Sequence, residues 1–140
     1  MNTSLENKTI LIVDDDADIR EAARSALEDA GGSVILAHSV DDAFETYRQA
    51  PPHAVIADIR LGKSDGYALI KAIRLTDSEY RGFTPVIAMT SVASPEDEAR
   101  ALAAGFNAFI AKPFDSQSIV AAVAELLNSP DNVGQYTRSA

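Results

Sequence analysis

Short apolar runs alternate with amphipathic stretches from Lys8 to Leu127, the rhythm of a β/α protein built on a parallel sheet. Ile10-Leu11-Ile12-Val13 is the first run. After it Ile19, Ala22, Ala23, Ala26, Leu27 and Ala30 recur at helical spacing until Gly31-Gly32 ends the helix. Val34-Ile35-Leu36-Ala37 reads as the second strand. Ser39 with Asp42 resembles a capping box, and Val40, Ala43, Phe44 and Tyr47 form a stripe that stops before Pro51-Pro52. Ala54-Val55-Ile56-Ala57 is the third strand, ending in Asp58. A third helix starts near Asp65 and turns Leu69, Ile70 and Ile73 inward, with Thr76 to Thr84 expected as a polar loop closed by Pro85. Val86-Ile87-Ala88-Met89 leads to Thr90, and Ser94-Pro95-Glu96-Asp97 is a strong helix start that runs to Gly105. Phe109-Ile110-Ala111 leads to Lys112-Pro113, and Asp115 can cap a last helix whose Ile119, Val120, Val123, Leu126 and Leu127 face the core.

The pattern divides the chain into an extension over 1–7, one domain over 8–127 and a polar tail over 128–140, with no repeat and no second domain. At 140 residues and 46% hydrophobic, that domain can bury a core without staples. The absence of cysteine removes disulfides and thiolate metal sites. No apolar run has the length of a signal peptide core or a membrane span, so the expectation is a cytoplasmic protein without membrane contact. A net charge of −9 with scattered Lys and Arg argues against direct nucleic-acid binding.

What the strands end in is more informative. Asp14, Asp15 and Asp16 follow the first strand, Asp58 ends the third, Thr90 and Ser91 end the fourth, and Lys112 follows the fifth. In an open parallel sheet the carboxyl ends of the strands face one crevice, where ligands bind. Adjacent carboxylates joined by another from a second strand suit a hard divalent cation with oxygen ligands, Mg2+ first and Mn2+ as the second candidate. A carboxylate beside such a cation and an ammonium can attack phosphorus, because both cations neutralise the phosphoryl oxygens. The product is an acyl phosphate on Asp58. The Thr90 hydroxyl can then donate to a phosphoryl oxygen that was absent before reaction.

Plainer readings compete at several positions. Asp16 and Asp18 read better as turn formers or helix caps, Ser91 can satisfy local backbone groups, and Phe109 by default belongs to the core. His38 and His53 have no spaced partner for metal or nucleophile work. Gly62-Lys63-Ser64 looks like the end of a phosphate-binding loop, but Ala57 stands where its first glycine is required.

Taken in order, Ile10 to Asp16, Ala57-Asp58-Ile59-Arg60-Leu61 with Asp65-Gly66, Met89-Thr90-Ser91 and Lys112-Pro113-Phe114 resemble a two-component response-regulator receiver domain. The resemblance implies a flavodoxin-like α/β fold, a doubly wound five-stranded parallel sheet in order 2-1-3-4-5 flanked by five helices. It places the phosphoacceptor on Asp58 and the acidic metal pair on Asp14 and Asp15, with Asp15 in direct contact and Asp14 mainly through water. The backbone carbonyl of Arg60 completes the protein ligands. Thr90 falls on the switch hydroxyl, Phe109 on the switch aromatic and Lys112 on the phosphate-binding lysine, whose bond to Pro113 is usually cis in the family. Gly62 and Ser64 depart from the usual proline and apolar residue, Phe109 lacks the frequent tyrosine's hydroxyl, and Arg60 and Val92 stand where the family tunes acyl-phosphate lifetime.

The implied function is phosphorelay signalling. A histidine kinase or histidine phosphotransfer protein supplies the phosphoryl group, and a protein target responds to it. The chain is then no enzyme beyond slow self-phosphorylation from small donors and self-dephosphorylation. No output domain follows Leu127, so the expectation is action through protein contact, or excision from a larger protein such as a hybrid kinase that uses this domain as a relay station. A Mg2+-dependent aspartyl-phosphate phosphatase would need a second acid beside the nucleophile, where Ile59 and Arg60 stand. A flavin carrier on this fold would set the phosphate of FMN against the acids of the first loop.

Overall fold

The computed structural model describes residues 4–61, 64–80, 83–91 and 94–128. Strands β1 (Thr9–Val13), β2 (Ser33–Ala37), β3 (Ala54–Asp58), β4 (Val86–Thr90) and β5 (Ala108–Ala111) alternate with helices α1 (Ala17–Asp29), α2 (Val40–Gln49), α3 (Gly66–Tyr80), α4 (Pro95–Ala104) and α5 (Ser116–Asn128). All strand pairings are parallel and the order is β2-β1-β3-β4-β5, as the resemblance implied. A short antiparallel pairing of Arg60–Leu61 with Ser64–Asp65 follows β3, and the apolar pattern gave no sign of it.

The strand pleat sorts the core. Ile10 and Ile12 of β1, with Ile56, Ile87 and Met89, pack under α1 and α5 through Ala23, Leu27, Ile119 and Val123. Leu11 and Val13, with Val55, Ala57 and Ala88, face Ala43, Tyr47, Ile70, Ile73 and Phe106 on the α2, α3 and α4 side. Strands covered on both faces read as continuous apolar runs, which is why they stood out in the sequence. Ala22, counted in the α1 stripe, is exposed, while Val120 and Leu127 of α5 are half-buried.

Local polar chemistry sets most helix starts. Asp16 caps α1 by accepting from the N–H groups of Asp18 and Ile19, and Ser94 caps α4 by accepting from Asp97 N–H. Ser39 accepts from Asp42 N–H at 3.1 Å, but the Asp42 carboxylate accepts from His38 N–H at 3.4 Å, one residue before the position a capping box requires. At the far end of α4, Gly105 takes φ 115°, a left-handed value suited to glycine.

The loop expected over Thr76 to Thr84 is a correction: α3 continues to Tyr80. Polar contacts hold this last turn. Asp77, buried, accepts from Tyr47 Oη, from Thr84 N–H at 2.8 Å, from Thr84 Oγ1 at 3.1 Å and from Arg74 Nη1 at 3.0 Å. Arg74 also donates to the carbonyls of Thr84 and Gly105 and to Asn107 Oδ1, whose oxygen accepts Val86 N–H at 2.8 Å. Burial lowers the Arg74 pKa, with Asp77 opposing it. The network ties α2, α3, the start of β4 and the turn before β5 at the amino edge of the sheet.

Burial, and then its bond to the Asp77 carboxylate, push the Tyr47 phenol up to about 12. A folded-state pKa above the unfolded value means the folded protein holds the proton more tightly. The stability this group contributes is therefore full below pH 10 and lost between about pH 10 and 12. Tyr47→Phe should cost about 1 kcal/mol near neutrality and lose less stability than wild type over that alkaline window. Urea unfolding at a series of pH values measures both, and parallel curves would refute the assignment.

Candidate functional site

Crossover direction reverses between β1 and β3, so the chain leaves these neighbouring strands toward opposite faces and opens a crevice above their carboxyl ends. Asp14 and Asp15 follow β1 there, and Asp58 ends β3. Asp14 is fully buried, Asp58 nearly so, and Asp15 is exposed. One carboxylate oxygen from each lies within 4.8 Å of the others.

Lys112 enters from two strands away. Its backbone N–H donates to the Thr90 carbonyl at 2.8 Å, extending the pairing of β5 with β4, and the Lys112–Pro113 bond is cis. Its Nζ sits 2.7 Å from Asp14 Oδ2 and 2.9 Å from Asp58 Oδ2. The Asp58 contact is a directed hydrogen bond. Asp14 Oδ2 has charge contact with the ammonium but no directed donor, leaving a buried oxygen with bonding capacity to spare.

The electrostatics follow from this crowding. Burial pushes the Asp14 carboxyl above its ordinary 3.8; the Asp58 charge adds to the rise, while Lys112 and the Asp16 N–H oppose it. At Lys112 burial alone would lower the pKa, but Asp14 and Asp58 together outweigh it and the net shift is upward. Two or three carboxylates against one ammonium leave a negative surplus. A hard cation suits that surplus, and the undirected Asp14 oxygen beside the exposed Asp15 offers oxygen donors of the right kind.

The other residues singled out in the sequence fall around this centre. Thr90 is buried at the end of β4, and Ser91 after it is exposed. Phe109 is half-buried on β5 opposite Ala88, two positions before the residue opposite Thr90. The alternation of side chains puts Thr90 and Phe109 on one face of the sheet. Arg60 opens the short antiparallel pairing directly after the Asp58 strand. Gly62, Lys63 and Val92 lie outside the described residues. His53 accepts Thr9 N–H on Nδ1 at 2.9 Å at the amino edge, and His38 is exposed.

Two residues beside the centre leave no mark in the apolar periodicity, though Gly66 belongs to the motif of the resemblance. A Cβ on Gly66 would stand 2.6 Å from the Asp58 carbonyl oxygen, so only glycine lets α3 begin this close to β3. Arg20 of α1 donates to the Asp14 carbonyl at 2.7 Å. Neither position carries a periodicity signal.

A cavity of about 730 Å³ opens at the opposite edge, lined by Phe44, Tyr47, Pro51, Phe83 and Thr84 among others. Its buried Tyr47, Asp77 and Thr84 are bonded to one another. Size alone therefore does not mark the reactive site, and the carboxylate cluster is the better candidate. Among the described residues, no helix is long and apolar enough to cross a membrane.

A family model described as the response regulator receiver domain matches residues 10–124. An uncharacterized 14.6 kDa protein encoded in the sodA1 3′ region of Leptolyngbya boryana is 34% identical over 123 residues, covering 87% of this chain and 92% of that one. Response regulator Rre1 of Synechocystis sp. is 32% identical over 120 residues, but these are 85% of this chain and 51% of Rre1, so the chain spans about half the length of that relative. The solved structure of Vibrio cholerae chemotaxis protein CheY4 superposes with a TM-score of 0.79 at 28% identity, covering 89% of this chain and all of that one.

Because burial makes the Asp14 charge costly, Asp14→Asn should raise the thermal midpoint of the metal-free protein by roughly 2–8 °C, the equivalent of about 1 kcal/mol. The sign depends on pH. A raised folded-state pKa means the wild-type penalty is absent below 3.8 and develops as pH rises through the folded value, so the variant's advantage should disappear in acid. Thermal melts at pH 3.5 and 7 test this; an equal or lower midpoint at pH 7 would refute it.

Proposed function

Because the chain belongs to the response regulator receiver domain family of two-component signalling, we propose that it accepts a phosphoryl group on Asp58 from a histidine kinase or histidine phosphotransfer protein in the cytoplasm and thereby alters its affinity for a protein target. The observation that carries this reading is the Lys112 ammonium lodged between the Asp14 and Asp58 carboxylates, with Asp15 completing an oxygen-rich cluster.

An oxygen of the Asp58 carboxylate attacks phosphorus as the bond from phosphorus to the donor breaks. The donor group leaves with the bonding electrons and is protonated from solvent or from its own protein. Lys112 holds a positive charge where the phosphoryl oxygens arrive, exchanging part of its carboxylate contact for a phosphoryl contact. Mg2+, with Mn2+ as a substitute, would be held by Asp15, Asp14, Asp58 and the Arg60 carbonyl, and supplies further neutralisation of phosphoryl charge when bound. Water then hydrolyses the acyl phosphate slowly and resets the chain.

The new phosphoryl group gives the Thr90 hydroxyl, and secondarily that of Ser91, a charged acceptor. Movement of Thr90 toward it vacates space on the sheet face it shares with Phe109, and the half-exposed ring can turn inward. This neighbouring pair favours a switch over a passive relay station.

Mass spectrometry after incubation with acetyl phosphate should show a single phosphoryl adduct that requires Mg2+ and is absent in Asp58→Asn. An adduct retained by that variant would overturn the assignment. Thr90→Ala should still become phosphorylated yet lose most of its long-range response. On adding beryllofluoride, a phosphoryl mimic, NMR shifts in the wild type should extend through α4, β5 and α5; in the variant they should stay near Asp58. Equal spread in both proteins would remove Thr90 from the switch.

A further inference from the structure

Asp15 is the exposed member of the carboxylate cluster, so its direction depends on the backbone on either side of it. That backbone is fixed at both ends. Asp14 N–H donates to the Ala37 carbonyl at 3.2 Å, and Asp14 Oδ1 accepts Asp16 N–H at 2.9 Å. Asp16 in turn caps α1 through the N–H groups of Asp18 and Ile19. The Asp14 carbonyl lies past the last residue of β1, where the strand pairing has ended among the described residues. Arg20 Nη1 donates to it at 2.7 Å, reaching back six residues from the first turns of α1.

We infer that Arg20 is a positioning residue for the cation site: it clamps the turn from Asp14 to Asp16 against α1 and so fixes where the Asp15 carboxylate points. The inference rests on the cation reading made above. Arg20 itself touches neither the proposed metal nor Asp58; it acts through the backbone of Asp14. Groups that orient metal ligands from behind commonly change affinity by tenfold or more when removed.

Charge and position make opposite demands here, which lets one experiment separate them. Arg20 is a cation a short distance behind an acidic cluster. If its charge alone mattered, removing it would make the site more negative and tighten the binding of a divalent cation. If its clamp matters, removing it lets the turn relax and weakens binding, despite the gain in negative charge.

Mg2+ binding should be measured by isothermal calorimetry at fixed ionic strength on the full chain, as wild type, Arg20→Ala, Arg20→Gln and Arg20→Lys, with metal-free melts run beside it. Arg48→Ala serves as the control for net charge, since Arg48 sits on the exposed face of α2 beside Glu45. The clamp requires Arg20→Ala and Arg20→Gln to raise the Mg2+ dissociation constant roughly tenfold, Arg20→Lys to recover part of the loss, and Arg48→Ala to leave it within about twofold. If Arg20→Ala fails to fold, Arg20→Gln carries the test, because its amide is too short to reach the same carbonyl. Unchanged or tighter binding in the folded Arg20 variants overturns the clamp while leaving the cation reading intact. Absence of Mg2+ binding in the wild type overturns the cation reading, and the clamp falls with it.

Discussion

An ammonium held between two carboxylates is the contact around which the carboxyl edge of this sheet is arranged. Asp14 directly follows β1 and Asp58 ends the adjacent β3, and like charges about 4 Å apart repel by about 4 kcal/mol at the effective dielectric typical of such sites, and by only about 1 kcal/mol in water. Lys112 offsets that repulsion from the far side of β4, touching both at 2.7 and 2.9 Å. It can do so only because β5 pairs with β4 in the register that sets Ala111 opposite Thr90. A one-residue slip would reverse the faces of every β5 side chain and carry the lysine away from the crevice. Sheet register and charge balance are therefore one constraint.

Offsetting the repulsion is not the same as cancelling it. Asp14 still titrates above its ordinary value because burial outweighs the help of Lys112 and the Asp16 N–H. Such a site keeps a negative surplus of the kind a hard cation suits. At the opposite edge of the sheet the polar groups are satisfied instead. There Asp77 accepts from Tyr47, Thr84 and Arg74, and Arg74 spends its remaining donors on Thr84, Gly105 and Asn107. One edge keeps bonding capacity in reserve, and the other uses it fully.

The same contrast explains what could be read from the chain beforehand. Strand ends were legible because four of the five apolar runs stop at a residue whose chemistry marks it, so Asp14, Asp58, Thr90 and Lys112 could be placed at one edge from the sequence alone. Helix caps at Asp16, Ser94 and Asp115 were legible because their partners lie within three residues. The last turn of α3 was not. Its polar residues look like a loop unless Tyr47, thirty positions away, is known to meet Asp77. Arg20 escaped because it acts on a carbonyl, and Gly66 was marked only by the motif of the resemblance because it acts by lacking an atom; neither leaves a mark in hydrophobic periodicity.

Where the two edges meet along α4, their difference has a mechanical consequence. The amino-terminal end of α4 comes soon after Thr90 and Ser91, at the charged edge, and Ala101 is its fully buried residue. Its carboxyl-terminal end runs into Gly105 and Asn107, both bound by Arg74. In the proposed switch, a displacement starting at Thr90 would enter the helix at the end away from buried Ala101 and meet resistance at the end held by the arginine network. Under that proposal the helix would pivot more readily than translate, because translation would break several charge-assisted hydrogen bonds together while a pivot about Gly105 preserves them. The buried network that defeated the loop expectation therefore anchors the carboxyl-terminal end of α4, the end a switch of the proposed kind would have to move against.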